Sequence, residues 1–318
     1  MRFAKLLALV LVLAWLPAAA QEFPKGPVRI IVPFPPGGPT DIMARMVSQK
    51  LQEIWGQSVL VDYRAGAGTL IGVTAVAKAA ADGATLGIVN AAYTINPVLR
   101  KTMPYDTLKD LAGVTQLVAT HLVIVANPNA PFNTVPELVA YAKRNPGKLS
   151  FASPGTGGTS HLAGELLNRT AGIDMLHVPY KGSVPAQTDV MGGRVPLMID
   201  ATSSALPFVN AGRLKLIATT GPRRLPGHEQ YPIVADAYPG FDVTGLLGLV
   251  APKATPRAVV HRIQVDTAKA LHMPEVKKQI EDTGGEVVAS PPEQFDAVIQ
   301  AEMAKWAKVI REAHIQGE

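Results

Sequence analysis

Short apolar runs rich in β-branched residues alternate along this chain with longer stretches of helical period, and that alternation leaves few architectures open. Residues 28–34 (VRIIVPF) read as a buried strand, followed by a Pro/Gly loop and a helix over 41–55. Residues 58–63 (SVLVDY) read as a second strand, followed by GAGT and an Ala-rich helix over 70–80, and residues 85–90 (TLGIVN) as a third strand. Strands joined by helical crossovers lie parallel, so this is a βαβαβ unit.

A second unit repeats the logic. LSFA (149–152) predicts a strand, SPGTGG a loop and 160–171 a helix. Strands over 175–178, 195–199 and 215–219 follow, with a helix over 185–191 after the first of them. LVIVANPNAPF (122–132) and LLGLVAPKATP (246–256) each read as an apolar strand running into a Pro-bounded turn, and both look like passages between the units. If both cross, the first lobe comprises residues 21–122 plus 246–318 and the second 123–245. Helices over 257–271 and 292–313 then return to the first lobe. The expected fold is α/β and two-lobed, each lobe a mixed sheet flanked by helices, joined by two crossing strands.

The N-terminus reads as a cleaved signal peptide over residues 1–20. Arg2 and Lys5 precede an apolar run over 6–16, then Pro17 and a small-x-small site at Ala18-Ala19-Ala20. That run is about eleven residues, whereas spanning a bilayer takes roughly twenty. Its removal leaves 298 residues with 28 basic and 25 acidic side chains, a net charge of +3. The balance is too even for nucleic acid and compatible with small anions. The chain has no cysteine, which excludes disulfides, thiol nucleophiles, Cys-based metal sites and a lipoprotein anchor. With 47% hydrophobic residues the core is large enough to fold without cross-links. The expected location is therefore the periplasm, free of the membrane.

In parallel α/β sheets ligands sit where strands end and helices begin. Three such points are rich in small residues. The first runs from Pro33 to Asp41. Gly37 and Gly38 remove Cβ atoms, so backbone N–H groups can turn toward an anion, and Thr40 or Asp41 caps a helix whose positive end favours a carboxylate. The same residues also suit a plain strand-to-helix turn. The second, Arg64 to Gly72, superficially resembles a dinucleotide fingerprint, but its third glycine falls one place late and no acidic residue stands where a ribose would need it. It reads as a small-residue turn, with Arg64 in an ion pair or on the surface. The third, Ser153 to His161, offers hydroxyls and N–H groups at a helix start, good chemistry for a carboxylate or phosphate. It lacks a Gly-Lys-Ser/Thr and is no P-loop. Ser160 and His161 are adjacent, so they point about 100° apart on a helix and do not readily form a nucleophile–base pair. Lys181, in Tyr180-Lys181-Gly182, either supplies charge to an acid or is a solvated loop lysine. Asp200 either faces the cleft or caps the turn after it. No metal or cofactor motif is present in the sequence.

Taken together and in order, these stretches resemble the tripartite tricarboxylate transporter receptor family, also called the Bug family of periplasmic solute-binding proteins. The resemblance rests on VRIIVPFPPGGPTDIMAR, RAGAGTLIG, DGATLGIVN with INP after it, SFASPGTGGTSHLAGELL, HVPYKGSVPAQTDVMGGRV and LLGLVAPKATP, which span nearly the whole mature chain. It implies two α/β lobes around a cleft and a carboxylate-bearing solute held largely by backbone amides and ordered water. Matching positions carry that role to Phe34, Gly37, Gly38, Thr40 and Asp41 in the first lobe. In the second lobe they are Ser153, Thr156, Gly157, Ser160 and His161, with Tyr180, Lys181 and Asp200 beside them. The implied partner is a two-component membrane permease, the implied form a monomer, with no cofactor and no catalysis. A ligand-presenting sensor for a histidine kinase and an exported hydrolase are the alternatives. One departure concerns the ligand. Family members often carry Asn-Arg-Pro-Gly-Ala-Gly-Gly at the second loop, where this chain reads Tyr63-Arg64-Ala65-Gly66-Ala67-Gly68-Thr69. Tyr63 is either a cleft residue that suits an aromatic or longer acid, or a packing residue.

Overall fold

The structure, a computed structural model, describes residues 23–225, 227–313 and 315. The expected signal peptide lies outside the described residues. Three parallel strands open the fold: β1 (Val28–Val32), β2 (Val59–Tyr63) and β3 (Thr85–Asn90), in the order β2-β1-β3. Helices α1 (Pro39–Trp55) and α2 (Leu70–Ala77) connect them, and α3 (Ala92–Leu99) follows β3. Val28, Ile30 and Val32 point to one side of the sheet with Val47 and Leu51 of α1, while Ile31 meets Val73 and Val76 of α2 on the other. Both faces are covered, which is why these strands read as nearly unbroken apolar runs.

The sixteen-residue strand β4 (Leu111–Ala126) holds the molecule together. Its first part, Leu111–His121, pairs antiparallel with β9 (Thr244–Pro252), which also borders β3. From Leu122 onward it pairs with β7 (Leu197–Ala201) and β8 (Lys215–Thr219). The second unit is completed by α4 (Val135–Arg144), β5 (Ser150–Ser153), α5 (Thr159–Ala171), β6 (Leu176–Pro179), α6 (Ser183–Met191) and α7 (Thr202–Asn210), with β5 parallel to both β6 and β7. At the change of partner sits buried Thr220. Its N–H donates to Leu122 O (3.0 Å), its hydroxyl to Val243 O (2.6 Å), and its carbonyl accepts from Val243 N (2.9 Å). One residue thus ties together the two segments that pass between the units.

The sequence places the first passage at 122–132, yet the strand begins at Leu111. LAGVTQLVATH lacks a continuous apolar run, because Thr115 and Gln116 interrupt it. Both are buried, and Ser290 holds this stretch: Thr115 Oγ1 donates to Ser290 O (2.8 Å) and the backbone N–H of Gln116 to Ser290 Oγ (3.0 Å). A buried polar residue with a partner costs little. Helix α3 also escapes sequence reading, since Pro97 lies inside it and reads as a breaker.

After β9 the chain forms α8 (Arg257–Leu271), α9 (Pro274–Asp282), β10 (Gly285–Val287) and α10 (Pro292–Glu312). The expected division assigns all of 246–318 to the first lobe, and the last helix packs against residues of both units. Phe295 and Ile299 share a cluster with Tyr93 and Leu246 of the first unit. Trp306, Val309 and Ile310 share one that joins Ala91 and Ile95 of the first unit with Phe132, Phe151 and Leu162 of the second. A single amphipathic stripe runs along α10, so its sequence holds no mark of where it changes neighbours. Among the described residues no helix is long and apolar enough to cross a membrane.

Gly113 and Gly248 leave the space that the fully buried ring of Phe295 fills. Phe295→Ala is expected to destabilise the fold by about 3–5 kcal/mol, read as a lower urea midpoint.

Candidate functional site

Gly37 takes a positive φ (97°) that only glycine adopts at little cost, and extended Gly38 then caps α1, with Pro39 pre-set at the first helical position. The Gly37 N–H donates to Asp41 Oδ2 (2.7 Å). Asp41 Oδ1 accepts from Arg45 Nε (2.8 Å) and from the Tyr63 hydroxyl (2.5 Å). Asp41, only 4% exposed, is therefore engaged on both oxygens by its own chain. Burial works to raise its pKa, but the Tyr63, Gly37 and Arg45 hydrogen bonds and the Arg45 charge outweigh it and hold the carboxyl below its ordinary value. With Asp41 so engaged, the N–H groups of Gly38, Thr40 and Asp41 have no intramolecular acceptor among the described residues. A Cβ at Gly38 would meet nothing within 4 Å, so the space in front of these donors is open.

The third loop repeats the device with a different side chain. Gly157 has positive φ (73°), Gly158 is the extended cap of α5, and the Gly157 N–H donates to His161 Nδ1 (3.0 Å). The N–H groups of Gly158, Thr159 and Ser160 likewise have no intramolecular acceptor among the described residues. The start of the loop is held by fully buried Ser153, whose hydroxyl lies 2.7 Å from His177 Nε2, donates to Gly155 O (3.0 Å) and accepts from Gly155 N (3.3 Å). His161 and His177 stack with centroids 3.7 Å apart and planes 11° apart, with Phe151 beside them. Burial, then the neighbouring His161 ring, pushes the His177 pKa down to about 4, against a weaker upward pull from Glu165.

The structure thus separates the predicted residues into two groups. Gly37, Gly38, Thr40, Gly157 and Ser160 stand at the two helix starts, with half-buried Phe34 before the first and exposed Thr156 before the second. Asp41, Ser153 and His161 hold those loops in shape. Tyr180 and Asp200 bond outside the three loops. The Tyr180 hydroxyl donates to Asp189 (2.8 Å). Asp200, 1% exposed, accepts from Ser183 (2.7 Å), Gln187 (2.8 Å) and the Ala201 N–H (2.8 Å), and so ties α6 and α7 to β7. Lys181 is exposed.

Residues the sequence reading left out join this arrangement through α3. Asn96 Nδ2 donates to Gly68 O (2.8 Å) and Thr69 Oγ1 (3.3 Å) in the second loop, where Ala67 and Thr69 both take positive φ. Leu99, at the end of α3, lies against Gly157. The hydroxyl that Thr69 adds therefore meets Asn96, and the Tyr63 hydroxyl meets Asp41. Arg64 pairs with Asp62 (3.1 Å). Two cavities of about 480 and 390 Å³ lie elsewhere, one between α5 and α10 and one around 23–28, and no residue of the three loops lines either.

Two helix starts with free N–H groups can bind an anion. Relatives give that geometry a context. The sequence profile of the "Tripartite tricarboxylate transporter family receptor" matches residues 43–315. This chain belongs to that family. It is 35% identical over 299 residues to Protein BugT of Bordetella pertussis, covering 93% of this chain and 92% of that one. Among solved structures, R. palustris Rpa4515 with adipate superposes with a TM-score of 0.78 at 31% identity, covering 93% of this chain and 99% of its own. MatC from Rhodopseudomonas palustris with bound malate superposes with a TM-score of 0.74 at 29% identity, covering 91% and 100%. The receptor fold is that of a two-lobed periplasmic binding protein.

Two predictions follow from the loop contacts. Asp41→Ala frees the Gly37 N–H and removes the Tyr63 and Arg45 bonds, and should weaken ligand binding at least about tenfold by calorimetry, a loss of about 1.4 kcal/mol. His177 is held neutral in the fold, with a value of about 4 against an ordinary 6.5. Its contribution to stability is therefore complete above about 6.5 and lost as pH falls toward 4. A melting-temperature series from pH 8 to pH 4 should fall over that window, and His177→Gln should flatten the fall.

Proposed function

We propose that this receptor captures a small aliphatic di- or tricarboxylate in the periplasm, in a cleft between two lobes, and delivers it to the membrane permease of a tripartite tricarboxylate-type transporter. The observation that carries the reading is the pair of glycine-capped helix starts, each with its first N–H occupied by the side chain four residues on and the following ones unpaired. In this reading the N–H groups of Gly38, Thr40 and Asp41 take one carboxylate. Those of Gly158, Thr159 and Ser160 meet the far end of the ligand, with the Thr40, Thr156 and Ser160 hydroxyls at hand. Adipate and malate, held by two structural relatives, are both acids with a carboxylate at each end. Tyr63, on which the aromatic alternative rests, bonds to Asp41 and packs partly buried against the core of the first unit, which supports the aliphatic reading.

The lobes in this proposal are residues 21–122 plus 246–318 and 123–245, with α10 packed against both. The passages at His121–Leu122 and Val243–Thr244 act as the hinge, and the ligand favours closure only by its greater affinity for the closed state. Each charge-assisted N–H contact contributes about 1.5–3 kcal/mol in favourable geometry. Two or three of them reach micromolar affinity, about −8 kcal/mol, after ordering costs. One chain supplies every group the proposal uses, so a monomer suffices.

A thermal-shift panel of malate, adipate, citrate, benzoate and glutamine tests the reading. The aliphatic di- and tricarboxylates should raise the melting temperature and the other two should not. Gly38→Leu, at a position with ordinary φ and open space, should abolish that shift while leaving the unliganded melting temperature near that of the parent. A panel without any carboxylate response, or a Gly38→Leu protein that still binds, rejects it.

A further inference from the structure

The two glycine loops are latched by the same geometry, but the acceptors differ in kind. In the first the acceptor is a carboxylate whose pKa lies below its ordinary value. In the third it is an imidazole nitrogen, His161 Nδ1. An imidazole accepts at Nδ1 only when that nitrogen carries no proton, which places the ring proton on Nε2, facing Glu165 Oε1 at 3.6 Å. The other anchor of the same loop is also an imidazole, since His177 holds Ser153, and Ser153 holds Gly155 from both its N–H and its carbonyl. The loop from 153 to 157 thus hangs on two imidazole rings stacked 3.7 Å apart.

We infer that His161 is a positioning residue that makes ligand capture proton-dependent: its neutral Nδ1 holds the third loop in the binding geometry, and protonation of that nitrogen releases Gly157 and lowers affinity. A protonated ring presents N–H to N–H at the Gly157 contact, a hydrogen bond replaced by a repulsion. The loop then loses the turn that leaves Gly158, Thr159 and Ser160 facing the ligand. The inference rests on the proposed carboxylate-binding function and adds the condition under which the solute is let go.

Few titratable groups face the His161 ring. Glu165, one turn along α5, lies 3.6 Å from His161 Nε2. His177 of β6 stacks on the ring and is itself held neutral, so a second proton on the pair is disfavoured. From β5 the neighbours are Phe151 and Ser153, which do not titrate. From β7, Asp200 is turned toward Ser183 and Gln187. Helix α3 brings Leu99 to Gly157, and the Arg100 that follows is directed to Gly68 and Asn96. Helix α10 meets α5 through the Arg169–Glu312 pair, two turns further on. Glu165 is thus the one carboxylate at His161 among these contacts.

The experiment compares adipate and malate binding by calorimetry in the parent protein and in His161→Asn from pH 8 to pH 5. Asparagine offers a carbonyl near the Nδ1 position that does not titrate. The quantity read is each protein's change in affinity between pH 8 and pH 5, whatever affinity the variant has at pH 8. By pH 5 the parent should have lost at least tenfold more affinity than the variant, a comparison in which the ligand's own protonation cancels. Parallel profiles overturn the inference while leaving carboxylate capture intact. A parent protein that binds neither acid at pH 8 instead rejects the functional reading for these ligands. If His161→Asn does not fold, ¹⁵N spectra of the histidine rings in the parent decide. A His161 Nδ1 free of its proton at pH 8 and protonated by pH 5 supports the latch. An Nδ1 that carries a proton at pH 8, or a tautomer unchanged through pH 5, overturns it.

Discussion

A backbone donor satisfied inside a loop leaves its neighbours in place but unpaired, and this structure depends on that constraint twice. Without Asp41 the Gly37 N–H would be one more orphan at a helix start, free to find water or a different turn. With Asp41 there, the positive φ of Gly37 is fixed and the following N–H groups are held in register with nothing of the protein to bond. Such donors cannot relax onto the chain, so they are preorganised for an external acceptor. His161 acts in the same way on Gly157. The loops are therefore rigid because of polar contacts rather than apolar burial.

In the proposed reading the two helix starts approach one another, and the sheet governs that motion. Strand β4 belongs to both units and changes partners between His121 and Leu122, where Thr220 also holds the returning segment at Val243. Rotation about so short a crossing keeps each half of the sheet intact. Helix α10 limits the range, because Phe295 is anchored among the glycines of the first unit and Trp306 within the core of the second. A rigid helix that packs on both bodies allows the small sliding and hinging that packed helices tolerate, and opposes wide separation.

Much of the fold was legible because parallel strands covered on both faces leave continuous apolar runs. Strands β3 and β8 and helix α8 run over the residues the sequence marks for them. The first part of β4 was hidden by buried threonine and glutamine, whose partner, Ser290, lies some 175 residues away. Helix α3 was hidden by Pro97. At the site, the glycine turns could be recognised from composition, yet the roles of the polar residues beside them could not. The family resemblance gives Asp41 a ligand-facing role beside its reading as a helix cap, and Asp200 reads either as a cleft residue or as a cap. Their actual partners, Tyr63 and Gln187, are 22 and 13 residues distant and come from other elements. Local patterns reveal where backbone is free to bind, whereas the occupants of a buried carboxylate are set by tertiary contacts.

The departures from the family pattern at the second loop bear on ligand choice through the same reasoning. Tyr63 and Thr69 would enlarge or polarise a cleft only if their hydroxyls faced it. One donates to Asp41 and the other accepts from Asn96, so both changes are absorbed by the protein. Thr69 even holds a positive φ, a strained conformation for a β-branched residue, and the Asn96 contact helps to retain it. The second loop is thereby tied to α3, and α3 through Leu99 to Gly157 of the third loop. A substitution along this chain of contacts changes the spacing between helix starts before it changes any group that touches solute. In the proposed reading, discrimination between acids of different length then follows from how far apart two sets of fixed N–H donors are held, a property of the packing around α3 rather than of any single side chain in the cleft.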